Sequence, residues 1–407
     1  MQQRAVRRGA KWLIGSLALC SAAAAMLATV SGAATQKPVV IGFVGAKTGF
    51  MSIYDQQVFV GAQVAANEAN SAGGVLGRRK IKFITCDSKT NQAQGAVCAQ
   101  DVVSKGADFV MPSCDFDFGS PAARVANKAG KVAIGCAGGL AYGVQGVGPL
   151  TFNTYSGSAT EGAIMAEWAH KKKGWRHPYV LTDTYLQYTK DVSTYFNKRW
   201  AQLAGSKSFA GQDTFNNADA SIAAQISRLR SAASNADFVV VSSLPPGGAS
   251  AIRQIRGAGI NLPILAAAAF DGSYWLSAVP KLSNFYYPAL GSLYGDDPNP
   301  ARAKLLYKDF KKVSGKAPTL ASYPLLGYAA VQSLVRGMKM SASTSGTAVT
   351  KALNSFKNTP LITGATTYTA KCHIPSGRPY LMMQVQKGKP SYTGVTWKPA
   401  SVPPHPC

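Results

Sequence analysis

The chain has 407 residues, 46% of them hydrophobic, and carries 43 lysines and arginines against 18 acidic residues, a formal net charge of +25. That length favours two domains. Such a charge fits a nucleic-acid partner, an anionic membrane surface or merely a basic exported protein, but Lys and Arg are spread along the chain with few dense blocks and no nucleic-acid motif, which favours the last and leaves no nucleic-acid partner expected.

Arg4, Arg7, Arg8 and Lys11 precede an apolar stretch from Trp12 to Val30 and the small-residue segment Ser31-Gly32-Ala33-Ala34. This order predicts a cleaved secretory signal over 1–34 and a periplasmic location. A membrane anchor is the alternative, disfavoured because the stretch is rich in Ala and Ser and runs into a cleavage-like site. Arg7-Arg8 leaves the twin-arginine route open beside the general one. Cys20 would suit a lipoprotein, yet Leu19 before it is too bulky for lipid attachment, so Cys20 is expected to leave with the signal. The remainder has 39 basic and 18 acidic residues, an excess of +21, and no stretch long and apolar enough to cross a bilayer.

From Val39 short β-branched runs alternate with amphipathic stretches, the pattern of parallel sheets covered by helices. Strands are expected at 39–45, 80–86, 108–113 and 132–136, with helices at 54–71, 91–105 and 120–129 between them. The rhythm then repeats: strands at 179–182, 238–242 and 264–267, helices at 189–204, 219–233 and 249–258. Two such α/β units imply two lobes with a cleft between them. Helices at 301–314, 321–338 and 347–356 are expected to return and cover the first lobe. The loops just past the strands, where ligands sit in open α/β sheets, are 47–54, 114–119, 137–139, 183–188, 242–246 and 270–275. Their mixture of aromatics, hydroxyls and aspartates suits a small polar organic ligand.

Beyond the signal six cysteines remain, Cys86, Cys98, Cys114, Cys136, Cys372 and Cys407. An even number in an exported chain favours disulfides, and zinc is disfavoured because no C-x-x-C pair occurs and Cys372-His373 stands alone. Cys372 with Cys407 would tie down the Pro-rich tail; Cys86 with Cys98 and Cys114 with Cys136 are the other expected pairs, although sequence leaves connectivity open. No catalytic constellation emerges. His170, His177, His373 and His405 lack metal-ligand spacing. Lys47-Thr48-Gly49 has no S-x-x-K serine upstream, Gly143 to Gly148 is followed by no Walker lysine, and no G-x-S-x-G elbow occurs. A protein that is not an enzyme, with no cofactor and no metal, is therefore expected.

Ile41-Gly42-Phe43-Val44-Gly45-Ala46-Lys47-Thr48-Gly49, followed by Tyr54, Gly61 and Ala62, resembles the first strand and loop of periplasmic solute-binding proteins of the leucine/isoleucine/valine-binding type. Asn70-Ser71-Ala72-Gly73-Gly74-Val75-Leu76-Gly77-Arg78 is similar to that family's N-x-x-G-G-x-x-G-R turn, and Gly327-Tyr328-Ala329-Ala330-Val331 to its late helix. The resemblance spans roughly 38–389. It implies an α/β type I fold of two Rossmann-like lobes joined by three crossovers, near Asn153, Tyr286 and Pro360. The expected division is 35–153 with 287–358 as first lobe, 154–286 with 359–390 as second, and 391–407 as tail. It further implies a ligand-delivering component of an ABC transporter that partners an inner-membrane permease; a monomer is expected. A sensory binding protein of the same fold is the alternative.

By the same resemblance Tyr54 and Tyr188 stand where aromatics flank the ligand, and Asp271 where an acidic group receives a ligand ammonium; capping of a helix near Ser273 is the other reading of Asp271. Ala137, Gly138, Gly139 and Ser242 fall in the ligand-facing loops. The first lobe departs from the pattern: Gly139 lacks a hydroxyl, and Asp115 would repel a carboxylate. Phe116 and Phe118 beside Asp115 and Asp117 would instead frame a cationic, amide-like or hydroxylated solute. Strand alternation lets only one of the two aspartates face the ligand, and Asp115 is the expected one.

Overall fold

The computed structural model describes residues 36–407; the expected signal over 1–34, with Cys20, lies outside them. β1 (Val39–Gly45) is the second strand of a five-stranded sheet. β2 (Ile81–Asp87) pairs with one edge of it and β3 (Phe109–Pro112) with the other, and β4 (Val132–Gly135) and β5 (Thr151–Asn153) follow, every pairing parallel. β3, β4 and β5 are buried along their whole length, as strands covered by helices on both faces must be. The covering helices include Ser52–Ser71, Gln92–Ser104 and Phe116–Lys128. The last starts four residues earlier than expected, because the side chain of Asp115 accepts the N–H of Phe118 at 3.1 Å and so supplies the N-cap.

The second sheet has seven strands. β6 (Pro178–Asp183), β7 (Gly211–Phe215), β8 (Phe238–Ser242), β9 (Ile264–Ala266) and β10 (Phe285–Ala289) are parallel. The short β11 (Thr359–Leu361) and β12 (Gly364–Thr366) make a separate hairpin. β13 (Tyr380–Gln386) and β14 (Lys389–Trp397) then extend the large sheet beyond β10 in antiparallel fashion. Residues 391–397, expected as tail, thus belong to an edge strand. Tyr286 lies inside β10, so the second passage between lobes comes after Ala289 and not at Tyr286.

After β10 the chain returns to the first lobe, where helix Ser322–Ser341 packs along helix Ser52–Ser71. The two backbones nearly touch: a Cβ on Gly61 would lie 2.0 Å from the Pro324 carbonyl oxygen, and one on Gly327 would lie 1.9 Å from that of Val58. Any side chain at either position would force the helices apart. Arg378 pins two passages between the lobes. Its buried guanidinium donates to the carbonyls of Thr154 at 2.8 Å and Ala365 at 3.0 Å and to the hydroxyl of Thr363 at 3.0 Å, with Thr366 as a further partner. Those acceptors are all neutral, and burial lowers the Arg378 pKa to about 10.

Cys86 is bonded to Cys98, Cys114 to Cys136 and Cys372 to Cys407, the pairing expected. The first staples the end of β2 to its following helix, the second joins the loops beyond β3 and β4, and the third anchors the C-terminus. Among the described residues no helix is long and apolar enough to cross a membrane.

Candidate functional site

The carboxyl ends of β1, β3 and β4 face those of β6, β8 and β9, and the loops beyond them meet. Several contacts bridge the cleft. The Tyr54 hydroxyl lies 3.0 Å from that of Tyr274 and 3.5 Å from the Ala269 carbonyl. The Gln187 N–H donates to Asp117 at 2.9 Å, and the Leu140 N–H to Asp191 at 2.9 Å. Phe50 packs on Tyr185 with ring centroids 5.9 Å apart. The lobes are therefore closed on one another.

Between them lies a cavity of about 40 Å³. The first lobe contributes Met51 and Tyr54 from the start of its first helix, Asp115, Gly138 and the Cys114–Cys136 disulfide from the loops past β3 and β4, and Ser322, Tyr323 and Leu326 from the returning helix. Leu186, Tyr188, Leu244, Ala268 and Ala269 come from the second lobe, and Tyr155 from the passage between the two. Among the described residues lining it there is no lysine, arginine or histidine.

Two buried carboxyls set the electrostatics. Asp115 is 4% exposed; burial, with the Asp117 carboxylate next to it, pushes its pKa from the ordinary 3.8 up to about 7. Glu161 stands behind the aromatic wall. It accepts the Tyr188 hydroxyl at 3.0 Å and the Ala268 N–H at 2.7 Å, and binds the Tyr155 hydroxyl, while burial raises it to about 6. Glu161 thus fixes Tyr155, Tyr188 and the loop after β9 as one unit. Asp55 does the corresponding work in the first lobe, accepting the N–H groups of Ala46 at 2.7 Å and Cys114 at 2.8 Å and the Ser113 hydroxyl at 2.7 Å.

Of the residues singled out in the sequence, Tyr54, Asp115, Gly138 and Tyr188 line the cavity. Phe116 does not; its Cβ lies against Gly139, where a Cβ would meet it at 2.7 Å. Ala137 is core, its carbonyl accepting the Asn153 amide, and the Gly139 carbonyl accepts the N–H of Tyr142. Ser242 donates to the Thr189 carbonyl behind the wall. Asp271 is buried, but its carboxylate accepts the N–H groups of Ala321 at 2.9 Å and Ser322 at 2.6 Å. It holds the start of helix Ser322–Ser341 instead of facing the cavity, so the capping reading was nearer, with a different helix. Asp117, set aside by strand alternation, ties the lobes together, because 116–128 is helical and alternation does not apply there. Tyr274 falls in the expected loop 270–275, whereas Tyr155, Glu161 and Tyr323 were not foreseen; among the described residues no group of three or more His, Cys, Asp or Glu could hold a metal.

Comparison with known proteins agrees with this fold. The family described as periplasmic binding protein matches residues 38–390. A Leu/Ile/Val-binding protein homolog 1 of Brucella suis is 26% identical over 363 residues, 88% of this chain and 93% of that one. In fold, the chain is similar to a branched-chain amino acid transporter substrate-binding protein of Streptococcus pneumoniae solved with isoleucine, with a TM-score of 0.75, 22% identity, and 88% and 100% of the two chains covered. It is also similar to a solute-binding protein of an ABC transporter from R. palustris solved with benzoate, with a TM-score of 0.72, 17% identity, and 90% and 98% covered. With its matched span, its two α/β lobes and its closed interlobe cavity, the chain belongs to the periplasmic binding protein family and has the type I fold.

Proposed function

We propose that this chain is the extracytoplasmic solute-binding component of an ABC transporter, capturing a small polar organic ligand, an amino acid or a related compound, by closure of its two lobes. The observation that carries the reading is the cavity walled by both lobes at once, since a ligand shifts an open–closed equilibrium only through contacts made in the closed form. The lobes are assigned as 35–153 with 290–358 and 154–289 with 359–397, the second boundary following the end of β10 and the last the end of β14. An inner-membrane permease is the partner that would read the closed form, and the signal over 1–34 would place the protein in the periplasm.

The ligand end that reaches Asp115 is an N–H donor, an ammonium or an amide. A carboxylate there would meet the Asp115 carboxyl without a cationic side chain in the lining to offset it. The neighbours solved with isoleucine and with benzoate make the contrast testable. A thermal-shift screen of residues 35–407 against amines, amides, amino acids and aromatic acids is the direct measurement, because a ligand that binds only the folded form raises the melting temperature. Stabilisation by amines or amides supports the reading; stabilisation by benzoate alone overturns the assignment of Asp115.

A further inference from the structure

A second recess opens beside the cavity. It measures about 440 Å³ and lies between the lobes at the mouth of the cleft, lined by Phe50, Ile53, Pro245, Pro246, Tyr274 and Trp275 among others. The two spaces adjoin, lined by neighbouring residues of the same loops. Met51 and Leu244 face the inner cavity, while their chain neighbours Phe50 and Pro245 face the groove. The partition is the hydroxyl pair of Tyr54, on the inner side, and Tyr274, on the outer side, 3.0 Å apart. The characters of the two differ: Asp115 and several tyrosines surround the inner space, whereas the outer lining carries no charged side chain among the described residues.

Size divides the work further. A water occupies about 10–15 Å³ on this measure, so the inner cavity of about 40 Å³ holds roughly three. It accepts a head of a few heavy atoms. The groove is wider, open to solvent and mostly apolar in its lining, the kind of surface that binds hydrocarbon in proportion to area buried.

We propose that the cleft is a two-part site for an amphipathic amine or amide: a compact N–H-donating head enters the inner cavity toward Asp115, and an apolar tail passes between Tyr54 and Tyr274 into the groove lined by Phe50, Ile53, Pro245, Pro246 and Trp275. This rests on the proposed solute-binding reading and extends it from head to tail. A ligand filling both parts replaces the Tyr54–Tyr274 hydrogen bond, so Tyr274→Phe, which removes one hydroxyl and keeps the ring, favours tailed ligands selectively.

The test is titration calorimetry of residues 35–407 with two homologous series, ethylamine to hexylamine and acetamide to hexanamide. The expected result is a Kd that falls about fourfold per methylene over several members, with the per-methylene gain cancelled by Ser277→Trp, which fills the groove, and reduced by Ile53→Ala should the bulkier variant not fold. Tyr274→Phe is expected to improve hexylamine more than ethylamine. If the short members bind but Kd stays flat or rises with chain length, the two-part site is wrong while the reading of the head stands. A gain per methylene that Ser277→Trp and Ile53→Ala both leave intact places the tail elsewhere and also overturns it. Binding by no member of either series overturns both readings together.

Discussion

Gly138 of the first lobe and Tyr188 of the second approach so closely across the cleft that a Cβ on Gly138 would lie 2.1 Å from Cδ2 of the Tyr188 ring. The ring is tethered through its hydroxyl to Glu161, so yielding to the methyl group would strain that hydrogen bond or take up cavity space. Gly138→Ala is therefore expected to leave the open form intact and to penalise the closed one. Ligand affinity should drop at least tenfold, about 1.4 kcal/mol, with small-angle scattering showing a larger radius in the presence of ligand than for the unchanged protein. Equal affinity and radius would mean that closure tolerates a methyl group there.

Asp115 makes both stability and binding depend on pH. Its folded pKa of about 7 lies above the ordinary 3.8, so between those values the folded protein keeps a proton that the unfolded chain has released. Stability from this group is full below about pH 4, falls as pH rises toward 7 and levels off above it. An ammonium ligand needs the ionised carboxylate, so its Kd should tighten from pH 6 to pH 8. Asp115→Asn, which keeps a capping oxygen, should flatten the affinity profile and remove only its own share of the stability profile, since burial also raises Asp55, Glu161 and Asp271 to about 6; a pH-dependent affinity that survives in Asp115→Asn would locate the titrating group elsewhere.

Asp271 separates capping from recognition. Its carboxylate accepts two N–H groups at the start of helix Ser322–Ser341, so Asp271→Ala should cost about 1–2 kcal/mol in chemical denaturation. Discrimination between an amine and its uncharged isostere should stay as it is. Loss of that discrimination would return Asp271 to the ligand.

Arg378 should behave as a joint between passages. Arg378→Lys keeps the charge but not the planar fork that reaches Thr154, Thr363 and Ala365. A loss of about 2–3 kcal/mol is expected, and hydrogen exchange should quicken at 154–156 and 359–366 more than in the strand cores. Uniform quickening across both sheets would show a general loss of packing instead.

The Cys114–Cys136 bridge closes a loop of 22 residues at the cavity wall. Replacing both by alanine should lower stability by about 3 kcal/mol and weaken ligand binding. The same exchange at Cys372 and Cys407, remote from the cavity, should lower stability without changing affinity.

The strand–helix alternation was readable because β-branched runs such as Val39–Val44 and Phe238–Val241 can only be buried strands at that length. Gly119 and Pro121 hid the first turn of helix Phe116–Lys128, being poor interior helix residues whose cost the Asp115 cap offsets. β13 and β14 escaped notice although Lys387-Gly388 between them forms a two-residue turn with φ of 50° and 73°, the conformation that tight hairpins prefer. The site was legible only in part. Tyr54, Asp115, Gly138 and Tyr188 follow strands in sequence and could be placed by topology. Tyr155 and Tyr323 reach the cleft from a passage and a returning helix, and Glu161 matters through the groups it holds, a relation between residues 107 apart that no local pattern carries.

The lining, which among the described residues holds no basic side chain, sits inside a polypeptide whose residues beyond the expected signal carry 39 basic and 18 acidic groups, an excess of +21. A positive solute thus meets repulsion from afar and attraction only at the last few ångströms, within the roughly 10 Å over which 0.1 M salt leaves charges visible to one another. Encounter and retention then respond oppositely to ionic strength: added salt speeds the arrival of a cation by muting the exterior and leaves the enclosed contact with Asp115 nearly untouched. For the cationic ligand proposed, the association rate is expected to be higher in brine than in dilute buffer, and stopped-flow binding at two ionic strengths checks it.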